Sequence, residues 1–301
     1  MLKKLPLPIT GVALGTAALG NLIESYSAGA RLICGAVSFL LLICFLIKIC
    51  LYPRLFREDM KNPVMASVFC TFSMTVILLA GYLKPFIGSA AVIIWYAGIV
   101  IHLILILYFT KTFMLKPVIS KIFTSYFIVY VGIAAASVTA PAFGTAPIGQ
   151  ALFWFCFCML LLFLIIITYR YQTIRQVPDM AKPLFCIYTA PASLCLAGYI
   201  QSFPEKSMVL AVFLSILSFV LYVLVLVKLP GLLRMPFYPS YAAFTFPFVI
   251  SAIGMKMMNN YLITENYHLP VLNFIILIQT IIACILVIYT LIRYIMFLLT
   301  K

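Results

Sequence analysis

Ten stretches of the sequence are apolar over about 20 residues, the length that an α-helix needs to cross the hydrocarbon core of a bilayer. They lie near 7–23, 32–51, 64–82, 88–109, 119–138, 149–169, 184–202, 207–228, 239–258 and 270–298. Inside a bilayer a spanning segment must satisfy its own backbone hydrogen bonds, which favours helices. The sequence therefore predicts an all-α integral membrane protein, with residues 1–301 forming a single transmembrane domain.

Charged residues are few, and most of them flank the apolar stretches. Hydrophobic residues make up 66% of the chain and charged residues 9%, whereas soluble domains carry about 25% charged residues. The net charge of +14 would suit a nucleic-acid partner in a soluble protein. Because these cations lie beside membrane segments, they indicate membrane topology instead, and we expect the lipid bilayer, not nucleic acid, as the partner.

The basic residues divide unevenly between the two sides of the predicted bundle. Only Arg31, Lys84, Lys206 and Lys256 lie on one side, and the other sixteen lysines and arginines lie on the opposite side. Positive residues are retained in the cytoplasm. Both termini are therefore predicted to be cytoplasmic, in a multi-pass protein of the inner membrane, and this requires an even number of spans.

The segments alternate in character, which indicates an internal repeat. Each odd-numbered segment begins near a proline and is rich in small and polar residues; these prolines are Pro8, Pro63, Pro117, Pro183 and Pro239. Each even-numbered segment is almost wholly aliphatic or aromatic. The pattern predicts five helical hairpins, with an inner ring of odd helices around a central pore and an outer ring of even helices facing lipid. The alternative is that the small and polar residues are only packing faces in a solid bundle.

The predicted spans contain few residues that could act in catalysis or bind a metal. No Asp or Glu lies well inside any of them, and His102, their only histidine, is expected to bond a neighbouring helix. The nine cysteines lie mostly within apolar stretches and lack the spacing of metal ligands. We therefore expect no enzyme, cofactor or metal. Cation carriers and channels commonly use carboxylates at membrane depth, so an uncharged lumen with basic mouths favours anions.

Two odd segments share a finer signature, a second proline eight residues after the first. These second prolines, Pro191 and Pro247, are predicted to kink their helices. The alignment places Ala190 opposite Phe246, and the same offset in the other repeats gives Gly15, Cys70 and Thr124. One large ring among small neighbours could close a narrow pore, although Phe246 could also merely fill a gap in the core.

Two local motifs are similar to those of a known family. They are Pro8-Ile-Thr-Gly-Val-Ala-Leu-Gly-Thr-Ala-Ala-Leu19 in the first segment and Ala243-Phe-Thr-Phe-Pro247 in the ninth. With them, over its whole length, the chain resembles the tellurite-resistance/dicarboxylate transporter family, which includes bacterial TehA and the plant guard-cell slow anion channels. The resemblance implies a homotrimer with one uncharged pore per protomer. It also implies a phenylalanine gate at Phe246 beside a first-helix glycine, Gly11, one turn from the Gly15 of the repeat.

These observations lead to two hypotheses about function. The first is a gated channel for small monovalent inorganic anions such as chloride and nitrate. The second is a carrier or exporter of C4-dicarboxylates, sulfite or tellurite-type oxyanions. A carrier of dianions should present a basic site at membrane depth. The nearest candidates, Lys48 and Lys256, lie near the ends of spans and are expected to extend towards the membrane surface.

Overall fold

The computed structural model describes residues 2–300, and every regular element within them is helical. The α-helices are α1 Ile9–Ile23, α2 Ala28–Leu51, α3 Pro53–Met60, α4 Pro63–Ile87, α5 Ala91–Phe109, α6 Tyr126–Tyr130, α7 Ala134–Thr139, α8 Ala146–Thr173, α9 Ala190–Ser202, α10 Met208–Leu233, α11 Phe246–Thr264 and α12 Pro270–Leu299. Two 3₁₀-helices, Asp179–Thr189 and Pro239–Phe244, lead towards α9 and α11. The predicted all-α fold is confirmed.

Within residues 2–300, seven helical runs are long and apolar enough to cross a membrane. One of them, Pro63–Met114, spans 52 residues and contains two of the predicted segments. The chain reverses between these two at Gly88, whose φ of 60° suits a residue without a side chain. Ile9–Ile23 and Ala134–Phe143 are apolar but shorter. The structure is thus that of an integral membrane protein, and the count of ten spans stays a prediction.

Burial separates the odd from the even segments, as the alternation predicted. In the most apolar windows of the runs Asp179–Ser202 and Pro239–Thr264, 89% and 83% of the residues are buried. The corresponding shares are 28% for α2 and α8 and 33% for α10 and α12. Large side chains such as Ile33 and Ile165 are exposed on these outer helices. Such continuous apolar surface is stable against lipid and unfavourable in water.

The inner helices form a closed ring. Helix α1 packs on α4, α4 on the pair α6 and α7, α7 on α9, α9 on α11, and α11 again on α1. Each outer helix packs on the inner helix that precedes it: α2 on α1, α5 on α4, α8 on α7, α10 on α9 and α12 on α11. Helix α8 packs equally on α9. This arrangement of five hairpins places the small and polar helices around one axis.

Hydroxyl groups join neighbouring members of the inner ring. The bonds between them are Thr10–Thr71 (2.7 Å), Ser67–Ser125 (2.8 Å), Ser193–Ser251 (3.1 Å) and Thr245 to the carbonyl of Gly11 (3.1 Å). Interhelical hydrogen bonds of this kind stabilise membrane bundles because lipid offers no alternative partner. Part of the polar character of the odd helices therefore serves packing, as the alternative interpretation held, within a ring that still encloses a cavity.

Candidate functional site

A cavity of about 630 Å³ lies inside the inner ring. All five inner segments line it, and within residues 2–300 the five outer helices supply none of its lining. Most of the wall is apolar and comes from Pro8, Gly11, Leu14, Val68, Met74, Phe123, Phe127, Ile128, Val131, Leu184, Ile187, Ala190, Leu194, Ala242, Ala243 and Phe246. The cavity is therefore a chamber that the ring builds, shielded from lipid by the outer helices.

The cavity opens at the basic face and ends about halfway through the ring. On each inner segment the lining residues begin at the end that carries the lysine-rich loops. Along the chain they stop at Leu14, Met74, Gly132, Leu194 and Pro247. The outer halves of α1, α4, α9 and α11 pack on one another without contributing to the lining. The chamber thus has one mouth and one closed end.

Phe246 lies at this closed end, where the ninth segment changes from one helix type to another. The 3₁₀-helix ends at Phe244, Thr245 has φ −97° and ψ −92°, and α11 begins at Phe246. The Phe246 side chain is 7% exposed and lines the cavity. Its large ring therefore stands where the open chamber meets the packed half of the bundle.

The seventh segment repeats this junction. Its 3₁₀-helix ends at Thr189, and α9 begins at Ala190. Pro191 and Pro247 occupy the first turns of α9 and α11, where a missing N–H costs no hydrogen bond. The structure thus differs from the predicted kinks in continuous α-helices. Each proline instead opens an α-helix that follows a 3₁₀-helix.

Five of the predicted site residues line the cavity: Gly11, Ala190, Pro191, Phe246 and Pro247. Sequence reasoning did not find Leu14, Met74 and Leu194, which surround the closed end with apolar side chains. A signal for them existed, since Gly11 and Leu14, or Thr71 and Met74, are three residues apart and share a helix face.

Gly15, Cys70 and Thr124 lie outside the cavity lining. Gly15 packs against Thr245, Cys70 is fully buried with its thiol turned to the Ala66 carbonyl, and Thr124 donates to the Leu184 carbonyl. The repeat offset placed them in the pore layer by assuming equal rotation in every segment. However, the seventh and ninth segments start as 3₁₀-helices with about 3.0 residues per turn, whereas α4 has about 3.6. A step of seven residues from the first proline therefore reaches a different face in each type of helix.

The mouth of the cavity carries the charged groups of the lining. These are Lys61, Lys121 and Glu58, beside the polar Asn62. Lys61 pairs with Glu58 at 2.7 Å, and Lys121 is exposed. Burial raises the pKa of the neighbouring Asp59 carboxyl, an effect that the Lys48 ammonium opposes. The mouth is thus cationic on balance, and the deeper lining has no charged residue.

His102 lies behind the cavity wall and has a structural environment. Its Nδ1 is 2.8 Å from the Ser73 hydroxyl oxygen, and its Nε2 is 3.0 Å from the Val129 carbonyl oxygen. The ring is fully buried between α4, α5 and α6. As the sequence indicated, this histidine joins an outer helix to its neighbours.

A membrane bundle whose inner ring encloses an uncharged chamber with a cationic mouth has the form of an anion channel or transporter. Comparison with known families agrees: the family model described as voltage-dependent anion channel (SLAC1) matches residues 4–295. The chain therefore belongs to this family of anion channels and transporters, and the resemblance seen in the sequence is confirmed. No curated protein sequence matches the chain significantly.

Proposed function

We propose that this protein is a gated channel for small monovalent anions such as chloride and nitrate, and that Phe246 closes it. The observation that carries the proposal is the common end point of the five lining stretches. The lining of the chamber stops at Leu14, Met74, Gly132, Leu194 and Pro247, and Phe246 directly precedes the last of these. An ion entering from the basic face would reach this apolar constriction before any other barrier.

The constriction supplies a physical barrier to ions. An ion that passes an apolar ring must shed its hydration shell, and no polar group there replaces the lost water. Hydrophobic constrictions in other channels close by this dewetting. Phe246 is the largest side chain at the closed end and lies at a change of helix type, so a modest movement of α11 would shift its ring out of the path.

The same chemistry predicts the order of permeation. Because the deep lining has no charged residue, dehydration dominates the cost of entry. Ions that dehydrate easily should pass best, with iodide and nitrate ahead of chloride. The cationic mouth would favour anions over potassium by raising their local concentration.

A carrier of C4-dicarboxylates, sulfite or tellurite-type oxyanions is the second candidate. A chamber that opens at one face only is also the form expected of an alternating-access carrier, and about 630 Å³ would hold a small dianion. Against it stands the lack of lysine or arginine among the deeper lining residues in the described chain. A dianion held there would be poorly compensated.

The setting of this pore is also part of the proposal. We infer a homotrimer with one pore per protomer, in the inner membrane, with both termini in the cytoplasm. The positive-inside distribution supports the orientation. The structure places the two ends of the chain together, since the Lys4 ammonium lies 3.3 Å from the Thr300 carbonyl oxygen. The trimer rests on the family resemblance.

Reconstitution into planar bilayers and liposomes tests the proposal. We expect anion currents whose reversal potentials follow the order iodide or nitrate above chloride when salts are exchanged. Currents selective for potassium, or a preference for malate dianion over nitrate, would overturn the channel proposal. Saturable counterflow of labelled dicarboxylate without measurable conductance would favour the carrier.

A further inference from the structure

Arg170 is a buried cation near the basic end of α8. The residue is 1% exposed, although its position in the sequence suggests a loop-side cation. Its guanidinium donates to three backbone carbonyls, those of Ser120 (3.1 Å), Ile174 (3.3 Å) and Gln176 (3.2 Å). The guanidinium also lies over the aromatic rings of Phe123 and Tyr171.

No carboxylate in residues 2–300 neutralises this guanidinium. The ion pairs in that part of the chain are Arg31–Glu24, Lys48–Asp59, Lys61–Glu58 and Lys182–Asp179. Carbonyl dipoles and aromatic faces offset much of the desolvation cost of a buried cation. They do not cancel its net charge, so a full positive charge remains inside the protein.

The charge lies one side chain away from the cavity. The guanidinium carbon is 4.5 Å from the centre of the Phe123 ring, and Phe123 lines the cavity. Because the guanidinium is buried, its field is screened less than that of a surface charge and extends into the chamber. By contrast, Lys61 at the mouth is paired with Glu58 and its side chain is 70% exposed, so salt screens it.

We propose that Arg170 sets the anion preference of the chamber from behind its wall, by making the basic half of the cavity positive without contacting the ion. The inference rests on the proposed anion-channel function and adds a specificity-determining residue to it. Arg170 would thus add to the basic half of the cavity a positive potential that salt screens less than that of the exposed lysines at the mouth. The alternative is a purely structural role, in which the hydrogen bonds of Arg170 hold residues 119–121 and 174–176 against the bundle.

The test compares Arg170→Lys with Arg170→Gln in bilayers under a potassium chloride gradient. Lysine keeps the charge but loses the forked hydrogen bonds, whereas glutamine keeps some hydrogen bonding and loses the charge. We expect Arg170→Gln to lower the anion-to-cation permeability ratio by about tenfold, and Arg170→Lys to preserve most of it. Arg175→Gln, which removes an exposed cation two residues beyond α8, is the matched control and should leave the ratio unchanged.

A second measurement decides the matter without altering Arg170, in case its variants do not assemble. The variant Lys61→Gln with Lys121→Gln removes both cations of the mouth. At low salt this variant should lose the share of the anion preference that the mouth supplies. In about 1 M salt, where surface charges are screened beyond about 3 Å, the variant and the wild type should both still prefer anions, because the Arg170 charge is buried.

The outcomes distinguish failure of the Arg170 proposal from failure of the anion-channel proposal. Loss of anion preference in about 1 M salt, in the wild type or in the double lysine variant, would overturn the role of Arg170. So would equal permeability ratios in Arg170→Gln and the wild type. Equal losses of anion preference in Arg170→Lys and Arg170→Gln would assign Arg170 the purely structural role and overturn the electrostatic one. A wild-type protein that passes no anions would instead contradict the channel proposal.

Discussion

Gly15 and Thr245 lie so close together that a Cβ atom on residue 15 would stand 2.4 Å from the Cβ of Thr245. The same atom would be 2.7 Å from the backbone nitrogen of Phe246. The Thr245 hydroxyl also shares its one proton between the carbonyls of Gly11 (3.1 Å) and Ala242 (2.7 Å). Helix α1 therefore packs against the junction at which α11 begins, and Gly15 is part of this contact and not of the cavity lining.

Gly15→Ala should displace this junction. The atoms in its way include backbone, so the helices must move apart, with an expected loss of about 1–3 kcal/mol of stability and altered current at fixed voltage. Thermal unfolding in detergent and bilayer recording measure the two effects. Gly81→Ala is the matched control, because its Cβ would meet nothing within 4 Å. If both variants behave as the wild type, the close packing does not position the gate.

Phe246→Ala should raise the current severalfold without changing ion selectivity, because the ring blocks and does not recognise. Phe246→Leu should raise it less. The control is Phe248→Ala two residues along, since Phe248 is fully buried and packs on Tyr222 with ring centres 5.7 Å apart. That variant should lose about 3–5 kcal/mol of stability and gain no current. Unchanged current in a well-expressed Phe246→Ala protein would reject the gate.

Ala242→Cys should make the channel sensitive to a charged thiol reagent applied at the basic face. Ala242 lines the cavity, whereas the native Cys70 does not, so the parent protein should be unaffected by the same treatment. The measurement is the fraction of current lost after exposure. Rapid block of the parent protein that disappears in Cys70→Ala would show that Cys70 faces the pore after all.

Ser193→Ala should loosen the inner ring. Its hydroxyl lies 3.1 Å from that of Ser251 and 2.6 Å from that of Ser218, joining α9 to α11 and α10. Interhelical bonds in membranes contribute about 0.6–1.7 kcal/mol, so unfolding should become easier by that amount. Ser215→Ala, whose hydroxyl bonds the Ala211 carbonyl of its own helix, should have little effect. Equal losses in the two variants would contradict an interhelical role.

Reporter fusions test the orientation. A green fluorescent protein fused after the last residue should fluoresce, and an alkaline phosphatase at the same site should be inactive, if the C-terminus is cytoplasmic. The basic distribution of the loops predicts this result. Active phosphatase at that site would reverse the orientation and place the cavity mouth outside.

The sequence by itself determined the environment and the layout of the bundle. Whether a segment faces lipid or other helices depends on its composition, because large apolar side chains are stable against acyl chains while small and hydroxyl-bearing ones permit close helix contact. The alternation of apolar segments with segments rich in small and polar residues therefore predicted which segments form the inner ring. The repeated prolines pointed to Phe246 and Ala190, and the family resemblance pointed to Gly11; all three line the cavity.

Only the tertiary structure decided how each helix is rotated and which charges are buried. Rotation depends on helix type and on contacts with neighbours. A constant offset therefore placed Cys70 and Thr124 at the cavity, whereas Val68 and Thr71 line it from α4, and Phe123 and Phe127 line it from the fifth segment. Burial of Arg170 requires carbonyls and rings from segments about 50 residues away in the chain, such as those of Ser120 and Phe123. These partners come into contact with Arg170 only when the helices assemble into the ring, and no local sequence pattern predicts that contact.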